Sequence, residues 1–182
     1  MMLRNLIFLV AVLAMSGFAR AAIDSGPAVG SDLPGLKAEA ATGDDAGKKI
    51  TFTTVRKAKP TVYVFVRADR FDRPIARYLK ALDQAVVALA KDTHVVAVWL
   101  TEDAEKTRAY LPKVQQSMKF EATTLAFYAE DKLGPNAWAL NDRAFVTTVV
   151  SDGVKVTARF AEQSLNETNV PEVAAVLKLL LK

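Results

Sequence analysis

The chain has 182 residues, of which 51% are hydrophobic and 24% charged, with 24 Lys and Arg, 20 Asp and Glu, and no cysteine. This length suits one domain with a sizeable core, and the missing cysteine excludes disulfides, thiol catalysis and thiolate metal sites. Lys and Arg form no cluster of the kind that follows a phosphate backbone, so we do not expect nucleic acid as a partner.

Residues 1–21 have the layout of a secretory signal peptide. Arg4 precedes an apolar run, and small residues lead to a plausible cleavage site at Ala19-x-Ala21. The apolar run is shorter than the roughly 20 residues that span a bilayer, which favours cleavage over a retained anchor. We therefore predict export to the periplasm or the extracellular space, with no membrane association after cleavage.

Residues 22–48 are rich in Gly, Pro, Ala and Asp, which predicts a flexible lead-in with a turn at TGDDAG. Residues 49–182 are predicted to form the domain. ITFTTV alternates weakly, as an edge strand does, and TVYVFV is the continuous apolar run that is typical of a strand buried on both faces.

The clearest predicted helix follows TVYVFV. Asp72 is placed to cap its start, and Pro74 falls in the first turn, where its missing N–H costs little. One apolar stripe recurs at helical spacing, and a polar side that includes Asp83 faces away from it. The stripe comprises Ile75, Tyr78, Leu79, Leu82, Val86, Leu89 and Ala90.

The rest of the chain predicts an α/β protein. HVVAVWL and TTLAFYA are typical of buried strands, and the helix between them is expected to kink or divide at Pro112. After a loop with one helical turn, Asp152-Gly153 marks a hairpin, and Asn169 and Pro171 start a last helix. Strands separated by helices should be parallel, and the hairpin should add an antiparallel edge.

This order of elements resembles the thioredoxin-like superfamily, nearest to exported redoxin domains of the peroxiredoxin and thiol-oxidoreductase type. VGSDLPGLKAEAATGDDAGKKITF resembles the redoxin opening, KPTVYVFV the strand before the active site, and TTVVSDGVKV the hairpin after the cis-proline. The resemblance covers nearly all of the chain after residue 21. It implies a three-layer sandwich, with a mixed central sheet and helices on both faces.

The residues that carry the family's redox chemistry are absent. By the resemblance, Asp72 takes the place of the attacking cysteine, Ile75 that of the resolving cysteine, and Val146 that of the cis-proline. A cis bond without proline costs about 3 kcal/mol, so we expect the bond before Val146 to be trans. The chain is thus predicted to be a relative without thiol redox activity.

Asp72 has two possible roles. As a general base or nucleophile it would need a second acid or a metal, whereas as an N-cap it would stabilise the helix by about 1 kcal/mol; we favour the cap. Arg70 and Arg73 flank the turn and could attract an anion, although Asp72 would compete for the same N–H groups. The only histidine, His94, lacks the partners of a catalytic or metal site and is predicted to lie at a strand end.

The predicted function is binding in the groove around the former active-site turn. The ligand would be a protein or a small molecule, with no cofactor and no metal. Trp138 either lines this groove or packs over the sheet edge. The alternatives are a non-thiol enzyme using Asp72 and a structural part of an envelope assembly. The candidate binding residues are Arg70, Phe71, Asp72, Arg73, Trp138 and Val146.

Overall fold

The computed structural model describes residues 23–89 and 92–181. The strands are β1 (Lys37–Ala40), β2 (Lys49–Thr51), β3 (Thr61–Arg67), β4 (His94–Leu100), β5 (Thr123–Tyr128), β6 (Val146–Ser151) and β7 (Val156–Glu162). The helices are α1 (Phe52–Val55), α2 (Arg73–Leu89), α3 (Ala104–Met118) and α4 (Val170–Leu180). No helix in these two ranges is long and apolar enough to cross a membrane. The predicted signal peptide lies outside the described residues and stays a prediction.

The strands form one mixed sheet in the order β2-β1-β5-β4-β3-β6-β7. The central strands β3, β4 and β5 are parallel, as predicted. Arg67 pairs with Leu100, so β3 and β4 end at the same edge of the sheet. On one side β6 and β7 form the predicted antiparallel hairpin, and on the other β1 joins β5 antiparallel.

Both faces of the sheet are covered, which explains the unbroken apolar runs in the central strands. Val62, Val64 and Val66 of β3 pack in a cluster with side chains of α2, α3 and α4. Tyr63 and Phe65 of β3 pack on the other face, in a cluster with residues of α1 and of the 3₁₀ helix Asn136–Trp138. The predicted thioredoxin-like three-layer arrangement, with helices on both faces, is confirmed.

Helix α2 confirms the predicted apolar stripe but not the whole polar side. Leu82 and its neighbours in the stripe are buried, and Ala90 lies outside the described residues. Asp83, predicted on the polar side, is only 1% exposed. Its carboxylate accepts hydrogen bonds from the backbone N–H of Ala122 at 2.9 Å and the hydroxyl of Thr123 at 2.7 Å. Spacing along α2 could not show that a neighbouring segment supplies these donors.

The segment before β3 differs from prediction in two places. Part of the predicted flexible lead-in forms β1, in which Ala38 and Ala40 are buried; alternating alanines are too weakly apolar to mark a strand. The predicted edge strand ITFTTV contributes only its first residues to β2. Phe52 then begins the single turn of α1, and its side chain is buried. Burial of this one large side chain outweighs the low helix propensity of the threonines that follow.

Helix α3 runs across Pro112 as one helix, so of the predicted kink or division, the division does not occur. Pro112 is exposed and removes only its own backbone donor, which a helix of 15 residues can tolerate. Asp103 caps the start by accepting a hydrogen bond from the backbone N–H of Lys106 at 2.9 Å. Lys119 ends the helix in the left-handed region, with φ of 51°.

The end of the sheet opposite the carboxyl ends of β3 and β4 is closely packed. Gly153, in the β6–β7 turn, has φ of +103°, and a Cβ there would lie 2.2 Å from the carbonyl carbon of Ala58. The position therefore requires glycine. Arg56 donates hydrogen bonds to the hydroxyl of Thr61 at 3.0 Å and to the carbonyl of Asp92 at 2.6 Å. These contacts join three connections of the chain at one end of the sheet.

Candidate functional site

The turn that corresponds to the family's active site joins β3 to α2 through a 3₁₀ helix at Ala68–Arg70. Arg67, the last residue of β3, fixes this turn. Its Nε and Nη2 donate to the carboxylate of Asp69 at 3.1 and 2.9 Å, and its Nη1 donates to the carbonyl of Asp142 at 2.7 Å. The turn is thus tied to the loop that precedes β6.

Asp72 caps α2, as predicted. Its Oδ1 accepts a hydrogen bond from the backbone N–H of Ile75 at 3.0 Å. Ile75, which the resemblance places at the resolving cysteine, is buried in the core against the sheet. Residues 23–89 and 92–181 contain no group of three or more His, Asp or Glu that could hold a metal ion.

Arg70 and Arg73 are exposed and contact different elements. Arg70 lies 3.5 Å from the carboxylate of Asp69, and its guanidinium carbon is 4.9 Å from the ring centre of Phe145, the residue before β6. Arg73 lines a cavity on the α3 side of the turn. The structure does not bring the two guanidinium groups to one anion site.

Val146 is buried in the sheet, with 1% of its surface exposed. It pairs with Val66 of β3 and with Glu162 of β7. The described residues contain no cis peptide bond, which agrees with the trans bond expected before Val146. The strand turns its side chain into the core, which does not favour the predicted binding role.

Trp138 packs over the sheet and does not line a groove. It is 0% exposed, and its ring centre lies 5.2 Å from that of Tyr63 and 4.7 Å from that of Phe65. Its indole N–H donates to the carbonyl of Gly35 at 3.2 Å. Trp138 therefore belongs to the face of the sheet opposite α2, which favours the packing alternative over the predicted binding role.

An open cleft of about 480 Å³ lies where β3 and β4 end, between the 67–71 turn and the first turns of α3. We call it the carboxyl-end cleft. The ring centre of Phe71 is 5.1 Å from that of Trp99 and 6.4 Å from that of Tyr110, and the three rings form an aromatic wall. The residues that line the cleft include Arg67, Asp69, Phe71, Trp99, Lys106 and Tyr110.

A second cavity, also of about 480 Å³, lies on the other side of Phe71 and Tyr110, between α2 and α3. Asp72 and Arg73 line it from α2, and Lys113 lines it from α3. Of the predicted binding residues, the structure thus gathers Phe71, Asp72 and Arg73 around two adjoining cavities.

The binding residues predicted from the sequence include none from β4 or α3, which form one side of the carboxyl-end cleft. One signal was available: ligands of α/β proteins commonly bind outside the carboxyl ends of parallel strands. Trp99 closes the predicted strand HVVAVWL, and Lys106 and Tyr110 follow it in the next helix. Spacing along the chain alone could not show that this segment faces the turn after β3.

His94 lies at the other end of β4, away from both cavities, as predicted for a strand-end residue. Its Nε2 is 2.8 Å from the hydroxyl of Thr124. Burial, assisted by the positive charge of Arg56, lowers the pKa of His94 to about 4. His94 is therefore neutral at physiological pH and takes no part in the site.

No family model matches the chain, and no curated protein matches its sequence. Solved structures match its fold. A protein described as thiol:disulfide interchange protein DsbE from Chlorobium tepidum aligns with a TM-score of 0.63 and 15% identity, over 88% of this chain and 99% of that one. A DsbF homologue from Corynebacterium diphtheriae aligns with a TM-score of 0.60 and 13% identity, over 85% and 90% of the two chains.

A yeast mitochondrial 1-Cys peroxiredoxin aligns with a TM-score of 0.57 and 17% identity, over 84% of this chain and 77% of that one. At these identities the likeness concerns the fold. The chain has a thioredoxin-like fold, shared with thiol:disulfide interchange proteins and peroxiredoxins, and it contains no cysteine.

Proposed function

We propose that this chain is an exported thioredoxin-like domain without thiol redox activity, which binds a protein or small ligand in the groove around the former active-site turn. The observation that carries the proposal is the carboxyl-end cleft, an open site with an aromatic wall beside a turn that has no thiol. Its volume falls in the range of small-molecule sites in proteins. Export is supported by the signal-peptide layout of residues 1–21.

Binding is favoured over a non-thiol enzyme because of the surroundings of Asp72. One carboxylate oxygen of Asp72 already accepts a backbone hydrogen bond at the start of α2. A carboxylate that acts as nucleophile or general base requires a second acid or a metal beside it. The residue at the resolving position, Ile75, is apolar and buried, so it cannot assist.

A ligand screen by NMR tests the binding proposal. A library of small molecules and short peptides is added to the ¹⁵N-labelled protein, and amide shifts are mapped onto the chain. We expect ligands that shift Phe71 and residues at the start of α3. Tyr110→Ala should weaken these ligands by on the order of tenfold, because aromatic side chains dominate such sites.

Val87→Ala is the matched control. Val87 lies on the outside of α2, away from both cavities, and is 47% exposed, against 44% for Tyr110. Its replacement should leave affinity unchanged. If the library shifts no residue of either cavity, or if its ligands bind equally well to Tyr110→Ala, the proposed site is wrong.

A further inference from the structure

The acids at the rim of the carboxyl-end cleft already have partners. Both carboxylate oxygens of Asp69 accept hydrogen bonds from the guanidinium of Arg67. The carboxylate of Glu102 lies 3.6 Å from the ammonium group of Lys132. These two acids are therefore compensated without a ligand.

The remaining polar groups on the β4–α3 loop bond to one another. The carboxylate of Asp103 accepts from the backbone N–H of Lys106 at the start of α3. The hydroxyl of Thr107 donates to that of Thr101 at 2.9 Å, and Thr101 in turn bonds to the backbone of Asp103. The acceptors in this part of the rim are therefore already hydrogen-bonded within the protein and do not require a donor from a ligand.

The groups left unpaired in the cleft are donors. In the part of the chain that the structure describes, the side-chain ammonium of Lys106 and the hydroxyl of Tyr110 make no hydrogen bond or ion pair. Trp99 is 1% exposed, and its indole N–H is buried without a hydrogen-bond partner. A buried donor without a partner is destabilising, so a hydrogen bond from an acceptor that reaches it would be favourable.

The aromatic wall determines the shape that fits. Phe71 stands edge-on to both Trp99 and Tyr110. A flat ring of a ligand can pack against such a wall in offset or edge-to-face geometry. The site therefore combines aromatic surface with one ammonium group that has no ion-pair partner among the described residues, that of Lys106, in a lining whose three cations and three acids balance.

We infer that the carboxyl-end cleft binds a small aromatic carboxylate. The ligand's ring packs against Phe71 and Tyr110, and its carboxylate accepts hydrogen bonds from the ammonium of Lys106. The indole N–H of Trp99, a residue of the cleft wall, is a second donor without a partner. This inference rests on the proposed binding function and names the ligand class for the same site.

The test compares acids with their neutral counterparts. Benzoate, 4-hydroxyphenylacetate and indole-3-acetate are titrated into the ¹⁵N-labelled protein, each beside its primary amide, which keeps the ring and removes the charge. We expect at least one acid to bind in the cleft on the order of tenfold more tightly than its amide, since a hydrogen bond between charged groups contributes about that much. The indole signal of Trp99 should move, and that of Trp138 should stay.

Lys106→Gln and Lys113→Gln form the variant pair. Both remove one positive charge from α3, seven residues apart on the same side, but Lys113 lines the second cavity. Lys106→Gln should weaken the acid on the order of tenfold, and Lys113→Gln less than twofold.

Each outcome decides between the two proposals. If amides bind as tightly as acids, or if Lys106→Gln has no effect, the carboxylate inference is overturned and the binding site stands. If none of the acids binds while other library compounds shift the signals of cleft residues, the carboxylate inference is likewise overturned and the binding site stands. If no probe of any kind shifts the cleft, both the inference and the proposed function are wrong.

Discussion

Introducing two thiols at the start of α2 tests whether this chain lacks redox activity only because it lacks the reactive residues. The change is Asp72→Cys together with Ile75→Cys. Asp72 is exposed at the cap, whereas Ile75 is buried. We expect the thiol at position 72 to have a pKa below the usual value of about 8.5, because the free N–H groups of the helix stabilise the thiolate. Burial should raise the pKa of the thiol at position 75.

The double variant should still fold. Loss of the Asp72 cap costs about 1 kcal/mol. Replacing the buried Ile75 by the smaller cysteine removes roughly two methylene equivalents, at about 0.8 kcal/mol each. The sum, about 3 kcal/mol, is less than the 5–15 kcal/mol that typically separates a folded domain from its unfolded state. Urea unfolding of wild type and variant measures this loss directly.

Thiolate absorbance against pH measures the two pKa values, and an insulin-reduction assay measures activity. Gln84→Cys is the control, because Gln84 is exposed in the interior of the same helix and a thiol there should titrate near the usual 8.5 or so. We expect no insulin reduction by the wild type and slow reduction by the double variant, since Val146 replaces the family's cis-proline.

Two results would refute this reasoning. A thiol at position 72 that titrates like the thiol at position 84 would show that the helix start has no effect on it. Insulin reduction by the wild type above the reagent blank would contradict the absence of thiol redox activity.

The other predictions concern stability and export. Leu82→Ala should lower the free energy of unfolding by about 2–5 kcal/mol, because the side chain of Leu82 is fully buried between α2 and the sheet. A decrease below about 0.5 kcal/mol in urea unfolding would contradict this packing. The pKa of His94 is lowered from 6.5 to about 4 in the folded protein. As the pH falls, His94 of the unfolded state is therefore protonated before His94 of the folded state. The stability that neutral His94 contributes is complete above pH 6.5 and is lost as the pH falls to 4. At pH 5 the free energy of unfolding of the wild type should be about 2 kcal/mol lower than at neutral pH, and this decrease should be absent in His94→Gln. An equal pH dependence of stability in both proteins would refute this role of His94. The mass of the exported protein should correspond to a start at or next to Ala22; a mass that includes Met1 would contradict cleavage.

The sequence predicted well those elements whose signal is local. The strands β3 and β4 are continuous apolar runs, and α2 has both a polar cap at Asp72 and an apolar stripe at helical spacing. In each case, residues adjacent along the chain or one helical turn apart determine the element.

The misses depend on contacts between distant segments. Asp83 is buried because Ala122 and Thr123, at the start of β5, supply hydrogen-bond donors from about 40 positions away along the chain. Trp138 packs on the rings of Tyr63 and Phe65, which lie more than 70 positions earlier in the chain. The carboxyl-end cleft likewise requires the parallel register of β3 and β4, which brings Trp99 beside Phe71.

The close approach of Gly153 to Ala58 bears on how the protein can be engineered. A Cβ at Gly153 would clash with the backbone of Ala58. Neither an added side chain nor an inserted residue in the β6–β7 turn can therefore be accommodated without moving the segment between α1 and β3. The 129–137 loop lies near the cleft end, and most of its residues are exposed. Affinity tags and grafted peptides should be inserted at residues 129–131 of that loop, before Lys132, which pairs with Glu102, and the turn around Gly153 should be left intact as an anchor for the scaffold.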